Sequence, residues 1–299
     1  MLLYDSGYNT PMNKKIYLLP VAGLILLNVF AWQEVFALAG TQYLHVTALD
    51  IGQGDSIFIQ TPNQNQIIVD GGPNSAVLGR LQAHMPFWDR SLDMVVLTHP
   101  DADHLAGLLD VLKKYKVDYI LWTGIVRDGQ LYQKWVQLLK DTQKKGTRVV
   151  IAKAGQKIVS GNVVIDIVHP FENLDGKVFG SNDNDTGIVS HVVYGNTSFL
   201  LTADISGKEE QKLVDQHIDI TSDVLKVAHH GSKYSSSEEF LQAVHPGLAV
   251  ISVGAKNTYG HPTPEVLQRL EKFGIRVLRT DQHGDVEILS DGNTINIKR

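Results

Sequence analysis

A run of seven residues, Thr98-His99-Pro100-Asp101-Ala102-Asp103-His104, constrains this 299-residue chain more than any other stretch. Ahead of it, Met94 to Leu97 is continuously apolar, the pattern of a strand covered on both faces. Behind it, Leu105, Leu108, Leu109 and Leu112 recur at helical spacing. Four candidate ligands, His99, Asp101, Asp103 and His104, therefore sit between the carboxyl end of a strand and the start of a helix. Open α/β sheets place their sites at such junctions. One aspartate there could serve only as a helix N-cap. Four ligand-type side chains within six residues exceed what capping or packing requires.

Composition narrows the chemistry. With no cysteine, the chain can hold no disulfide, thiolate metal site or cysteine nucleophile, which leaves its 12 histidines as the soft ligands. Lys+Arg 27 against Asp+Glu 32 gives a formal charge of −5. No bulk basic field exists to hold a nucleic acid backbone, so any polyanion must be met locally.

The first forty residues differ from the rest. Lys14 and Lys15 precede a nearly uncharged run from Ile16 to Trp32, broken only by Pro20, Gly23 and Asn28. It reads as a membrane-targeting segment, either an uncleaved anchor or a signal peptide cut after Ala37-Leu38-Ala39. The lysine pair keeps the N-terminus inside and sends the body outward. The expectation is thus residues 1–40 as anchor or signal, and residues 41–299 as one extracytoplasmic domain, membrane-anchored or secreted.

Along the body, a hairpin is expected from Tyr43 to Gln60 around Gly52-Gln53-Gly54-Asp55, and a strand from Gln66 ending on Asp70-Gly71-Gly72. Asp70 could orient a ligand or hold only its turn. Phe199 to Thr202 reads as a strand that delivers Asp204 at its end, and Leu225 to Ala228 as a strand closing on His229-His230-Gly231. Two-residue alternation puts Leu225, Val227 and His229 on one face, so His229 is the expected ligand and His230 points elsewhere, toward substrate or a supporting role. His261 lies in a loop beside Pro262, as proton donor, phosphate contact or structural residue. Lys226, Ser232, Lys233 and Ser235-Ser236-Ser237 surround the histidine pair with donors suited to phosphate; Ser232 and Lys233 are the substrate-binding candidates.

The cluster resembles the metallo-β-lactamase superfamily signature His-x-His-x-Asp-His, with Asp101 in place of the second histidine. Leu49 to Asp55, Leu97 to His104, Leu200 to Asp204, Leu225 to Ser236 and Ser252 to Pro262 are similar, in order, to the metallo-β-lactamase-like region of the ComEC competence proteins. The likeness runs from about Tyr43 onward, as a stand-alone form without the ComEC channel region. It implies an α/β class, four-layer αββα sandwich, here preceded by one N-terminal hydrophobic helix.

The resemblance also implies two divalent metal ions, zinc or manganese. His99 and Asp101 would hold the first, while Asp103, His104 and one of His229 and His230 would hold the second, with Asp204 bridging. Asn184 or Asp185 would complete the first site, unless they form only an Asx-turn. Asp103, His230 and His261 would act on the substrate. The implied activity is phosphodiester hydrolysis, of DNA or another extracytoplasmic phosphodiester, by a hydroxide held between the ions. The carboxylate at Asp101 hardens the first site toward manganese. Two alternatives are a wall phosphodiesterase of the phosphorylcholine type and a non-catalytic DNA-uptake binding module.

Overall fold

The computed structural model describes residues 15–39, 43–179 and 183–298. The chain divides into two compact units, Met1–Gln42 and Tyr43–Arg299. In the first, α1 (Lys15–Ala39) carries Pro20 within it and exposes Leu24, Leu26, Leu27, Phe30 and Trp32. Among the described residues, no helix is long and apolar enough to cross a membrane. Lys14, the side chains of Ala37, Leu38 and Ala39, and residues 40–42 lie outside the described residues.

The second unit is built from two sheets. The first begins with β1 (Leu44–Ala48), β2 (Ile57–Gln60) and β3 (Gln66–Val69), which pair antiparallel. It continues after α2 (Ala76–His84) with β4 (Ser91–Leu97), α3 (Ala102–Lys114), β5 (Lys116–Trp122), α4 (Gln130–Lys144) and β6 (Arg148–Ile151). From β3 to β6 the pairing is parallel. The second sheet starts with an antiparallel meander, β7 (Lys157–Ser160), β8 (Val163–His169), β9 (Val189–Tyr194) and β10 (Thr197–Leu201). After α5 (Gly207–Asp215) it becomes parallel through β11 (Val224–Lys226), α6 (Glu238–Val244), β12 (Leu248–Ile251), α7 (Pro264–Lys272) and β13 (Arg276–Arg279). A short α8 (Thr280–His283) leads the chain back to the first sheet as β14 (Val286–Ser290) and β15 (Ile295–Lys298).

Side-chain alternation sorts each strand between two cores. On β10, Phe199 and Leu201 enter the core between the sheets, while Leu200 faces the helices of its own side. On β4, Val96 points between the sheets, and Val95 and Leu97 pack beneath α2, α3 and α4. Leu213 of α5, Phe240 of α6 and Leu270 of α7 close the opposite outer face. The order is helices, sheet, sheet, helices: the αββα sandwich expected from the sequence. The parallel strands of both sheets aim their carboxyl ends at one edge. Loops 52–55, 70–72, 98–104, 202–204 and 227–231 therefore meet there.

Phe199 is fully buried between the sheets. Phe199→Ala should lower the unfolding free energy by about 3–5 kcal/mol, as large-to-small changes in closed cores do. Denaturant unfolding of the two proteins measures this, and a loss below about 1 kcal/mol would mean that the inter-sheet core is not packed as described.

Candidate metal centre

Three backbone contacts fix the loops before any ligand is placed. Asp55 N–H donates to the Asp103 carbonyl at 3.1 Å, Gly71 N–H to the His104 carbonyl at 2.7 Å, and Gly72 N–H to the Asp55 carbonyl at 2.8 Å. Such closeness needs glycine. A Cβ on Gly54, whose φ is +132°, would run into the Asp103 carbonyl, and one on Gly107 would strike the Gly71 carbonyl.

Asp70, in the left-handed region at φ 60°, accepts from Thr98 N–H at 2.8 Å and from Thr98 Oγ1 at 2.7 Å. Its Oδ2 also lies 2.7 Å from His104 Nδ1. Held from behind in this way, His104 directs Nε2 inward, 3.3 Å from Asp204 Oδ2. His230 is fixed similarly, with Nδ1 2.9 Å from the Ser252 carbonyl. Its Nε2 stands 3.2 Å from Asp204 Oδ2 and 3.4 Å from Asp103 Oδ2. His99 Nδ1 is 3.0 Å from Thr98 Oγ1, and its Nε2 is 3.7 Å from Asp101 Oδ2. Among the described residues, the buried Nε2 atoms of His99, His104 and His230 and Oδ1 of Asp204 have no hydrogen-bond partner. Donors at about 2.1 Å around a tetrahedral ion stand roughly 3.4 Å from one another. Asp204 stands at that spacing from His104 and from His230, and Asp103 from His230; the donor atoms of Asp103, His104 and His230 lie within 4.8 Å of one another, as do those of His99, His104 and Asp204, so the residues present fit a divalent cation.

The alternation that singled out His229 fails because β11 stops at Lys226. Ala228 to Gly231 form a single 3-10 turn in which His229 and His230 both take positive φ, 48° and 53°. That turn rotates His230 into the cluster. His229 is left half-buried on the rim, 4.0 Å from Asp204 Oδ2 and 3.4 Å from Asn184 Nδ2. Asn184 therefore touches His229 rather than the donors, and Asp185 accepts from Ser206 N–H at 3.1 Å, away from them. Ser232 and Lys233 also depart from expectation. Ser232 is buried in the turn, its carbonyl bonded to Ser235, and Lys233 lies over the Tyr234 ring at 5.1 Å. Neither lines the pocket of about 100 Å³ bounded by Gln53, Asp101, Asp103, Asp204, His229, His230, Tyr259 and His261, so His229 faces this space from its rim. His261 does line it. Its ring stacks on Tyr259 at 5.9 Å, and its Nδ1 has no partner.

Three participants, Asp55, Arg127 and Asp183, escaped the sequence reading, and a fourth, Lys226, entered it only as a donor suited to phosphate. Asp55 is buried beneath the cluster, paired with the buried Lys226 and 3.4 Å from His230 Nδ1. Arg127 binds Asp101, whose side chain caps nothing although the residue precedes α3, and Asp183 binds the same arginine at 2.7 Å. Only Asp55 carried a signal, in its Gly-x-Gly-Asp turn. Electrostatics reflect these pairings. Burial pulls His104 and His230 down, but Asp204, with Asp70 beside His104 and Asp55 beside His230, lifts both well above the ordinary histidine value. Burial would raise Asp204, yet His230 and His104 hold it well below the carboxylate range.

The profile of the metallo-beta-lactamase superfamily matches residues 49–255. The chain belongs to that superfamily. It is 34% identical over 260 residues to ComE operon protein 3 of Bacillus subtilis, which covers 81% of this chain and 32% of that protein. It is 33% identical over 245 residues to competence protein ComA of Neisseria gonorrhoeae, with the same shares covered. The chain thus spans about a third of the length of these relatives. In fold it is similar to the metallo-beta-lactamase fold protein YhfI of Bacillus subtilis, with TM-score 0.54, 16% identity, and 83% and 99% of the two chains covered. It shares the fold of a superfamily made up generally of metal-dependent hydrolases, a fold that implies divalent-metal binding and for which the chain has candidate His/Asp clusters, and it is related to competence proteins.

Two outcomes follow. Asp70 positions His104 and should matter to an ion it does not touch: Asp70→Asn should weaken metal binding about 10- to 100-fold. Competition with a fluorescent chelator reads this, and an unchanged affinity would remove that role. Glu210 of α5, fully buried, accepts the Ser236 and Ser237 amides at 2.6 and 3.0 Å and so holds the loop after the histidine pair. Burial pushes it from 4.5 up to about 7, against the pull of those two bonds. A folded value above the unfolded one means stability is full below 4.5 and is lost as pH rises through about 7. Relative to Glu210→Gln, the wild-type unfolding free energy should therefore fall by roughly 3 kcal/mol between pH 5 and 8. Parallel pH profiles of the two proteins would contradict this.

Proposed function

We propose that the chain is a phosphodiesterase working with two divalent ions, zinc or manganese, on DNA or another phosphodiester outside the cytoplasm. The observation that carries this is the convergence of the buried Nε2 atoms of His99, His104 and His230, none assigned a hydrogen-bond partner, with the Asp204 carboxylate, beside a small polar pocket. Asp103, His104 and His230 would hold one ion, His99 and Asp101 the other, and Asp204 would be shared. Such ions, when bound, draw charge from a phosphoryl oxygen and make water a stronger acid.

The remaining groups belong to the chain. Lys226 and Asp55 form a buried ion pair under Asp204 and His230, which keeps those side chains from turning away. His261 is lowered by burial and by its neighbours His229 and His230, so it stays neutral and can donate one hydrogen bond to a phosphoryl or leaving oxygen. At a net charge of −5, attraction of an anionic substrate has to be local. The kinship with competence proteins supports DNA as the substrate, and the apolar run from Ile16 to Trp32 supports an extracytoplasmic place, anchored or secreted.

With manganese or zinc supplied, the purified chain should hydrolyse an aryl phosphodiester. His104→Ala and Asp204→Ala should each reduce that rate at least about 1000-fold with circular dichroism unchanged, as removal of central catalytic groups does. Full activity in either variant rejects the site. A panel of single- and double-stranded DNA, choline phosphodiesters and a β-lactam names the substrate; cleavage of the choline esters alone would move the function to wall phosphodiesters.

A further inference from the structure

The superfamily's second histidine is Asp101 here, and the structure shows that the exchange involves more than one residue. Imidazole is a neutral ligand. A carboxylate in its place adds a negative charge to an edge that already carries Asp55, Asp70, Asp103 and Asp204. Arg127, in the loop after β5, answers it. Its Nη1 donates to Asp101 Oδ1, to Asp183 Oδ2 at 2.7 Å and to the Pro100 carbonyl at 3.2 Å.

This contact also sets direction. With Oδ1 taken by the guanidinium, Asp101 presents Oδ2 to the pocket, 3.7 Å from the unpartnered Nε2 of His99. That is close to the separation of two donors on one ion, roughly 3.4 Å. Asp183, nearly fully buried, binds the same Nη1 as Asp101, so the arginine is anchored to the body of the fold rather than drifting as a free surface side chain. Ligating side chains are ordinarily oriented and tuned by such partners.

Resting on the metal assignment above, we propose that Arg127 is the positioning residue of the first ion. It neutralises Asp101 and turns its Oδ2 toward His99, so that the pair Asp101–Arg127 does the work of the missing imidazole. Arg127 touches neither the ion nor the substrate in this role. It acts through Asp101, and its removal should be felt at one ion and not the other.

The test is titration of manganese into the chelator-stripped full chain, with electron paramagnetic resonance to distinguish isolated from spin-coupled ion pairs. Wild type should take up two ions and show the coupled signal. Arg127→Gln should bind the second-position ion with unchanged affinity, lose at least about 10-fold in affinity for the other, and lose the coupled signal at two equivalents. The double variant Asp101→His, Arg127→Gln should recover both ions, because imidazole needs no compensating cation; a merely structural arginine would not be rescued in this way. Lys233→Gln, removing an exposed cation outside the pocket, should change neither affinity. Unchanged binding in Arg127→Gln overturns the proposal. Tighter binding also overturns it, since the arginine would then be a competitor for Asp101. Wild type that binds no manganese or zinc sinks the metal assignment itself, whereas two ions bound equally in both proteins sink only the role of Arg127.

Discussion

The buried pairing of Lys226 with Asp55 is the contact on which the rest of the site depends. Lys226 ends β11 and Asp55 ends the turn before β2, so one ion pair ties the second sheet to the first at the edge where the loops meet. Two charges removed from water must be closely matched to each other and to further hydrogen bonds. The lysine also donates to the Ala203 carbonyl, and the aspartate lies against His230. Each partner therefore holds a loop that carries a donor. The Asp204 loop and the His229–His230 turn are pinned from below, and the Asp103–His104 loop is pinned by the Asp55 amide. Without that tie, the donors would belong to two independent sheets.

Much of this was legible in the sequence. The alternation of strands and helices was visible because strands buried on both faces read as apolar runs and amphipathic helices follow them, whereas the αββα order came from the resemblance to the metallo-β-lactamase superfamily. The ligand cluster from His99 to His104 and the carboxylate of Asp204 were visible because strand ends in such folds present polar residues where the chain turns. His230 was not. Strand alternation points to His229 only if the strand continues, and the positive φ of two successive histidines is a backbone conformation that residue type does not announce. Ser232 and Lys233 were chosen for chemical type, but a serine buried in a turn satisfies its neighbours rather than a substrate. Lys226 was read as a phosphate donor rather than as the partner of Asp55, and Arg127 and Asp183 were not read at all, for another reason. Their partners lie 26 to 171 positions away, and only the folded loops bring them together.

Charge compensation gives the site its logic. Asp55, Asp70, Asp103 and Asp204 share His104, His230 and Lys226, and Asp101 and Asp183 share Arg127. Asp204, Asp70 and Asp55 favour the charged form of His104 and His230, yet the six carboxylates still outnumber these two imidazoles, Lys226 and Arg127. Metal ligation would take the imidazoles neutral and widen that excess. On the proposed reading the ions would supply the missing positive charge, and the same charge would meet a phosphate that the net charge of −5 would otherwise repel.

Size decides what else can enter. A cavity of about 560 Å³ opens between the sheets at the β6–β7 margin and is lined chiefly by apolar residues such as Ile67, Met94, Leu121 and Ile158. Volume alone would make it the binding site, but it holds no group of converging metal donors. The pocket that has them measures about 100 Å³. On the proposed reading that volume takes ions and a phosphoryl group, and the nucleoside or sugar on either side of a phosphodiester would lie beyond it, past the exposed Tyr259, which lines the pocket together with His229 and His261. The groups that converge on the ions would then carry the reaction, and the residues around Tyr259 the choice of substrate.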